Sequence, residues 1–85
     1  MEKIGNNVCG KRIKLGRVGK DMAQIDLATA LSVDFQIDIT QNGISELERG
    51  IRHVKDYEII ALAKVLDIHP LWILYGDNLP KQYDK

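Results

Sequence analysis

The chain has 85 residues, enough for one small domain, and its 45% hydrophobic and 28% charged residues are ordinary proportions for a globular protein. No apolar run approaches the ~20 residues needed to cross a membrane, and the N-terminal residues lack the apolar core of a signal peptide. The single cysteine excludes an internal disulfide, and we therefore expect a reducing, cytoplasmic setting.

The formal net charge is zero, but the charges are unevenly distributed along the chain. Residues 1–20 hold six basic residues and one acidic residue, whereas residues 21–48 hold six acidic residues and no basic one. The net charge of zero therefore results from a basic N-terminal segment and an acidic segment that follows it.

The first predicted helix follows a polar, glycine-broken arm of residues 1–7, which we expect to be flexible. It runs from Val8 to about Val18 and buries Val8 or Cys9 together with Ile13. Two glycines weaken it, because glycine in a helix interior costs ~1 kcal/mol relative to alanine.

The second predicted helix begins near Asp21, which together with Gln24 resembles a capping box, and it extends to about Phe35. An extended loop follows, through residue 39. Ile37 and Ile39 alternate with polar residues there, and we expect both to pack onto the core.

The third predicted helix covers residues 40–49 and has a divided surface. Ile44 and Leu47 share one face, Thr40 is the expected N-cap, and Gly50 supplies the residue past the end that can take a positive φ. The polar side chains point elsewhere, among them the carboxamides of Gln41 and Asn42. A helix this short is not stable alone. Exposed carboxamides at its start suit contact with the base edges of a DNA groove.

The fourth predicted helix, over residues 56–67, follows a surface segment in which Arg52 and Lys55 are expected to be exposed. Acidic residues at positions 56 and 58 favour a helix start there, because they lie near the positive end of the helix dipole. The residues expected to face inward are Ile59, Leu62, Ala63 and Leu66.

The fifth predicted helix begins with His69 as its cap and Pro70 as its first residue, and Gly76 closes it. Residues 77–85 are polar and broken by proline, which is typical of a tail or a linker. The sequence contains neither an internal repeat nor a low-complexity segment.

Taken in order, these segments resemble the phage-repressor and Cro-like (XRE-type) helix-turn-helix family. "ITQNGISELERG" is similar to its recognition helix, "GKRIKLGRVGKDMAQIDLATAL" to its first two helices, and "VKDYEIIALAKVLDIHPLWILYG" to its fourth and fifth. The resemblance covers Val8 to Gly76 and implies an all-α, compact five-helix, lambda-repressor-like DNA-binding domain over residues 8–76. Ala28 and Gln41 are about six residues further apart than in the tightest family members, which implies an extended turn between helices 2 and 3.

The resemblance also carries two expectations about the interior. The family usually has a leucine near Gly16, so Leu15 is expected to rotate inward here. Glu48 belongs to the family's Glu-Arg-Gly ending and is expected to be structural. A carboxylate that faced phosphates would be costly, and Arg17 is its expected intramolecular partner.

The resemblance assigns base reading to the exposed residues of the third helix. Gln41 and Asn42 lie at its first turn, and a carboxamide both donates to and accepts from adenine. Glu46 either accepts a hydrogen bond from cytosine N4 or is a surface carboxylate, and Ser45 contacts base, phosphate or solvent. Gly43 either lets the backbone lie close to a base or sugar, or leaves the helix loose until DNA orders it.

Phosphate contacts are expected from two places. Gln24 and Thr40 stand at helix N-termini, where side chains and backbone N–H groups both bind phosphate. Arg49, Arg52 and Lys55 follow the third helix and are expected to hold the opposite strand. Further positive charge beside the site is expected from Lys11, Arg12 and Lys14.

The expected partners are double-stranded DNA and a second copy of the chain, without a membrane or a small-molecule ligand. Leu71, Trp72 and Tyr75 cannot all face inward from one short helix, and the surplus apolar surface is a candidate homodimer interface. No cofactor or metal is expected, because Cys9, His53 and His69 are too scattered to form a ligand set. An enzyme is not expected either, because catalytic motifs are lacking.

The leading interpretation is a sequence-specific transcriptional regulator, a repressor that binds an operator with two half-sites. The alternative is a protein-interaction module on the same fold, such as an antitoxin or an anti-repressor. The zero net charge favours the alternative, because duplex affinity comes largely from lysine and arginine that displace counterions.

Overall fold

The computed structural model describes residues 7–77, and these residues form helices without any β-strand. The predicted all-α, five-helix architecture is confirmed. The helices are α1 (Gly10–Gly19), α2 (Gln24–Phe35), α3 (Gln41–Glu48), α4 (Asp56–Leu66) and α5 (Pro70–Tyr75). Among residues 7–77, no helix is long and apolar enough to cross a membrane.

One hydrophobic core joins all five helices. α2 packs against α3 and α4, while α1 contacts α3, α4 and α5. Because α3 and α5 are too short to be stable alone, this shared core is what keeps them helical. The largest fully buried apolar side chains are Ile13, Leu27, Leu31, Ile44, Leu47, Leu62, Leu66 and Ile73.

The inward face of α1 differs from the prediction at Leu15, which is 63% exposed. A Cβ atom on Gly16 would lie 3.0 Å from Cδ1 of Ile68 and 3.4 Å from Cδ1 of Leu66. The space beside Gly16 is therefore already filled by side chains that follow or end α4. The expected inward rotation of Leu15 is wrong because no gap exists for it to fill.

The start of α2 also differs from the prediction, because Asp21 is not its cap. Asp21 has a φ of 55° and lies in the turn after α1. The helix begins at Gln24 with Ala23 as N-cap, and the Ala23 N–H donates to Oδ2 of Asp26 at 2.9 Å. The carboxylate therefore caps the helix from inside its first turn rather than from in front of it.

The loop between α2 and α3 packs onto the core as predicted. Ile39 is buried, and Ile37 is partly buried against the same core cluster. The extended turn between the two helices is therefore anchored by its own isoleucines.

The ends of α3 and α5 are as predicted. The Thr40 hydroxyl accepts the Gly43 N–H at 3.0 Å, and Gly50 has a φ of 78°, which favours glycine. His69 caps α5 by accepting the Leu71 N–H on Nδ1 at 3.0 Å, and Pro70 is the first helical residue.

The predicted arm (residues 1–7) and tail (residues 77–85) lie outside the described residues except for Asn7 and Asp77. The side chain of Asn7 forms hydrogen bonds with Cys9 and Gly10 at the start of α1, with Leu47 and with Arg52. Asn7 therefore belongs to the folded domain and not to the flexible arm predicted from the sequence.

Candidate nucleic-acid interface

The short helix α3 has one side fixed in the core and one side open. Ile44 and Leu47 are fully buried, and Glu48 is buried beside them. Gln41 and Asn42, at the opposite end and on the outward side, are exposed. The other two predicted base-reading residues, Ser45 and Glu46, are half-buried. The carboxamides therefore stand on a helix that is held from behind by apolar contacts.

A buried polar network ties the end of α3 to α1 and to the start of α2. Arg17 donates from Nε to Oε2 of Glu48 at 2.6 Å and from Nη2 to Oε1 at 3.1 Å. Its Nη1 donates to the Met22 carbonyl oxygen at 2.7 Å. The hydrogen bonds with Glu48 raise the pKa of Arg17 above its ordinary value, against the effect of burial. The expected intramolecular partner of Glu48 is thus confirmed.

Gln24, predicted to bind phosphate, is the third member of this network. Its Nε2 donates to Oε1 of Glu48 at 3.1 Å, and the side chain is half-buried. The network thereby fixes the start of α2 relative to the end of α3. A phosphate contact from Gln24 stays a prediction, for which the carboxamide oxygen, the second N–H and the helix N-terminus are the available groups.

The remaining predicted phosphate-binding residues differ in whether their side chains are exposed or already bound within the protein. Thr40 is exposed, and its hydroxyl accepts from the backbone but keeps its own proton to donate. Arg49 and Lys55 are exposed, with the Arg49 Nε 3.4 Å from the Ser45 carbonyl oxygen. These three side chains are open to a ligand from solvent.

Arg52 is engaged with the protein itself. Its Nη1 and Nη2 each donate to the Glu58 carboxylate at 3.0 Å, and Nη1 also donates to the His53 carbonyl oxygen at 2.8 Å. The expectation that Arg52 is exposed is wrong, because the Glu58 side chain is 2% exposed and requires a counter-charge. Its predicted phosphate contact stays a prediction, and a phosphate would compete with Glu58 for the guanidinium.

Glu58 is the ion-pair partner of Arg52, whereas the sequence indicated only a favourable charge near a helix dipole. Burial raises the pKa of Glu58, but the hydrogen bonds from Arg52 and from the Lys55 N–H, together with the charge of Arg52, outweigh burial and lower the pKa below its ordinary value. The carboxylate therefore caps α4 and holds Arg52 at once. The signal available in the sequence was its position three residues after the N-cap of α4.

The absence of a side chain at Gly43 is explained by packing within the protein. A Cβ atom at this position would lie 2.9 Å from Cγ2 of Ile39 and 3.5 Å from Oγ1 of Thr40. The absence of a side chain therefore makes room for the loop isoleucine. This packing role stands beside the two alternatives given by the sequence, close approach to a base and looseness of the helix.

Arg12 was expected to add positive charge beside the site, but it binds the end of α5. Its Nε donates to the Ile73 carbonyl oxygen at 2.8 Å, and its Nη2 donates to the carbonyl oxygens of Leu74 at 3.0 Å and Val8 at 2.9 Å. Arginine side chains often satisfy the last carbonyls of a helix in this way. Sequence reasoning missed this role.

The candidate dimer residues on α5 lie around its single buried residue, Ile73. Trp72 is partly buried against the core, Leu71 is half-buried and Tyr75 is exposed. None of the three is fully buried, as expected for a helix with surplus apolar surface. Their role in a dimer stays a prediction.

The site contains neither a reactive thiol nor a metal ligand set within the described part of the chain. Cys9 is free and buried, and burial raises the pKa of its thiol, which makes the nucleophilic thiolate scarce. Within residues 7–77, histidine, cysteine and acidic side chains do not gather in groups of three or more that could hold a metal ion.

The chain is similar to known helix-turn-helix proteins. Residues 13–73 match the helix-turn-helix family. The chain is 36% identical over 73 residues to the HTH-type transcriptional regulator DicA of Escherichia coli (strain K12), a match that covers 86% of the chain and 50% of the relative. The chain thus spans about half the length of this curated relative.

The fold is similar to that of a solved repressor structure. The crystal structure of the P22 c2 repressor protein in complex with synthetic operator 9T in the presence of Tl+ matches with a TM-score of 0.69 at 26% identity. The match covers 81% of this chain and 96% of that one. The chain therefore belongs to the phage-repressor-like (XRE-type) helix-turn-helix family, a family of DNA-binding proteins rather than enzymes.

Proposed function

We propose that the chain is a sequence-specific DNA-binding transcriptional regulator, a repressor that places α3 in the major groove. The observation that carries this proposal is the division of α3, which exposes Gln41 and Asn42 while Ile44 and Leu47 fix the helix in the core. The relationship to a transcriptional regulator and to a repressor bound to its operator supports it. A cytoplasmic location belongs to the same proposal.

Base reading is assigned to the open side of α3. The carboxamides of Gln41 and Asn42 have the donor and acceptor pair that matches adenine N7 and N6, and the Glu46 carboxylate is able to accept from cytosine N4. Ser45, half-buried one turn after Gln41, completes the set.

Phosphate binding is assigned to the exposed side chains of Thr40, Arg49 and Lys55. Gln24 and Arg52 are assigned to the same role, in which a phosphate competes with their internal partners, Glu48 and Glu58. Few cations lie on this surface, and the net charge is zero. Since counterion release by lysine and arginine supplies much of duplex affinity, the monomer should bind modestly and lose affinity as salt rises.

Dimerisation would supply the remaining affinity and explain an operator with two half-sites. We assign the interface to Leu71, Trp72 and Tyr75, which would separate the two α3 helices by about one DNA turn, roughly 34 Å. Sedimentation of Trp72→Ala should then shift toward monomer at concentrations where the wild type is dimeric. A monomeric wild type ends this part of the proposal.

The decisive experiment measures fluorescence anisotropy with DNA from upstream of the chain's own gene and with scrambled DNA, each at two salt concentrations. Gln41→Ala should weaken binding to the native fragment by ~1–3 kcal/mol and relax the preference at one base position. Arg49→Ala is the matched contrast, because it should weaken both DNAs equally and reduce the salt slope by ~1. Equal losses on both DNAs for Gln41→Ala would remove it from the base-reading set.

A second candidate is a protein-interaction module, favoured by the surface between α2 and the start of α3. A groove of about 240 Å³ lies there, lined by the exposed apolar Ile25 and Val33 and by Asp38. Residues 21–48 contain no basic residue, so a basic partner would fit this face better than a phosphate backbone. If the chain selects no DNA from a random pool at low salt, this candidate replaces the regulator.

A further inference from the structure

The carboxamide of Asn7 connects the start of α1 to the segment that follows α3. Its Oδ1 accepts the N–H groups of Cys9 at 3.0 Å and Gly10 at 2.8 Å. Its Nδ2 donates to the carbonyl oxygens of Leu47 at 3.1 Å and Arg52 at 2.6 Å. Both donors and the acceptor oxygen are thus used within the protein.

We propose that Asn7 is a positioning residue that holds the segment between α3 and α4 in the geometry with which its exposed cations contact phosphate. The inference rests on the proposed function. We assign Asn7 no contact with DNA. It acts through Arg49 and Lys55, which flank the point where Nδ2 binds the backbone.

The orientation of this carboxamide is fixed by its four partners. Two N–H groups face its oxygen and two carbonyl oxygens face its nitrogen, so a flipped amide would leave all four backbone groups opposed to a group of the same kind. Each opposed group would lose its hydrogen bond to the carboxamide, which favours the observed orientation. Asparagine is the residue that satisfies both sides at once.

The segment that Asn7 holds is attached to the domain at other points as well. The N–H groups of Ile51 and Arg52 both donate to the Glu46 carbonyl oxygen, at 3.0 and 3.3 Å. The Arg52 side chain is held by Glu58. Asn7 adds a contact from the residues that precede α1, because its Nδ2 binds the backbone carbonyl oxygen of Arg52.

The close approach of α1 to α3 makes this connection rigid. A Cβ atom on Gly10 would overlap the Leu47 carbonyl oxygen and lie 2.7 Å from that of Glu48, so the two backbones are in direct contact. With the helix ends fixed against each other, the Asn7 side chain transmits that fixed position to the following segment. A segment ordered before binding loses less conformational entropy when it meets a phosphate.

Two substitutions test the role of the Asn7 carboxamide nitrogen separately from that of its oxygen. Asn7→Asp keeps the shape and the oxygen that caps α1, but it sets a second oxygen against the carbonyls of Leu47 and Arg52. Asn7→Ser keeps a capping oxygen without adding charge, and it removes the long donor arm. Both variants should therefore keep α1 capped while they release the segment after α3.

The test uses DNA that the wild-type chain selects from a random pool, with a scrambled control, and measures affinity by anisotropy. Asn7→Ser should weaken binding roughly three- to tenfold on both DNAs, the equivalent of one net hydrogen bond, and leave their ratio unchanged. In an Arg49→Ala/Lys55→Ala background, Asn7→Ser should have almost no further effect, because the cations it positions are gone. Amide hydrogen exchange at Arg52 should accelerate while exchange within α2 is unchanged.

The outcomes distinguish the inference from the proposed function. A full three- to tenfold loss in the background without the two cations overturns the inference, because Asn7 would then act through general stability. Unchanged affinity together with faster exchange at Arg52 overturns it as well. A wild-type chain that selects no DNA from the pool refutes the proposed function, and the positioning role falls with it.

Discussion

Replacing Arg17 with methionine tests how α3 is fixed in the domain. Methionine keeps an unbranched stem but removes the guanidinium, whose side chain is 10% exposed and which forms two hydrogen bonds with Glu48 and one with the Met22 carbonyl. The Glu48 carboxylate, 3% exposed, would keep the Gln24 amide as its one side-chain partner among residues 7–77. The variant therefore leaves a buried charge without its counter-charge.

The expected loss is large for a domain of this size. Removing one partner of a buried ion pair costs about 3–5 kcal/mol, and the lost hydrogen bond to Met22 argues for the upper half of that range. A chain of this length has a total stability of about 4–13 kcal/mol. At about 4–8 °C per kcal/mol, the melting temperature of Arg17→Met should fall by about 16 °C or more.

Urea unfolding followed by circular dichroism measures this loss, and two variants control it. Arg49→Met changes an exposed arginine and should alter the free energy of unfolding by less than about 0.5 kcal/mol. The double variant Arg17→Met/Glu48→Leu removes both charges and should recover most of the loss, since a well-packed apolar pair often replaces a buried ion pair without cost. If Arg17→Met is as stable as the double variant, the unpaired buried carboxylate is not the cause and the reasoning fails.

Three further outcomes are expected from urea titrations of single variants. Gly10→Ala places a methyl group 2.7 Å from the Glu48 carbonyl oxygen and should cost about 1–3 kcal/mol, and wild-type stability would contradict the close backbone contact. Gly43→Ala should fail to deliver the ~1 kcal/mol gain of a helical alanine, because Ile39 occupies the space, and a full gain would show that Ile39 yields freely. Hydrogen bonds lower the pKa of Glu58 in the folded state despite its burial. The ionised side chain therefore stabilises the fold fully at pH values above its unfolded-state pKa, and this stabilisation is lost as the pH falls through its folded-state pKa. The stability difference between wild type and Glu58→Gln should therefore shrink as the pH is lowered past the unfolded-state pKa of about 4.3, and a constant difference would exclude this linkage.

The elements predicted correctly are those whose signals are local in the sequence. Thr40 and Gly50 bracket α3 within eleven positions, and His69 with Pro70 marks the start of α5, so each boundary follows from the preferences of adjacent residues. The start of α2 was misplaced because two aspartates compete for the same role. Asp26 caps the helix from inside, while Asp21 lies in a turn.

The parts of the site that the sequence did not reveal depend on contacts between distant residues. Arg12 binds carbonyl groups 61 and 62 positions away, and Asn7 binds one 45 positions away. Such side-chain-to-backbone bonds leave no periodic pattern, because any residue supplies a carbonyl. The pairing of Glu48 with Arg17 was predicted because a carboxylate beside the proposed phosphate surface requires an internal counter-charge.

The division of α3 has a consequence for how such chains diversify. Its attachment to the domain comes from Ile44, Leu47 and Glu48, while Gln41 and Asn42 are exposed at its first turn. Exchanges at exposed positions usually alter stability by less than about 0.5 kcal/mol. Duplicated copies of this scaffold could therefore drift to new surface chemistry one substitution at a time, each intermediate remaining folded. Grafting the outward residues of a relative onto this chain should be equally tolerable, so the exposed face of α3 can be exchanged while the buried residues that hold the helix stay the same.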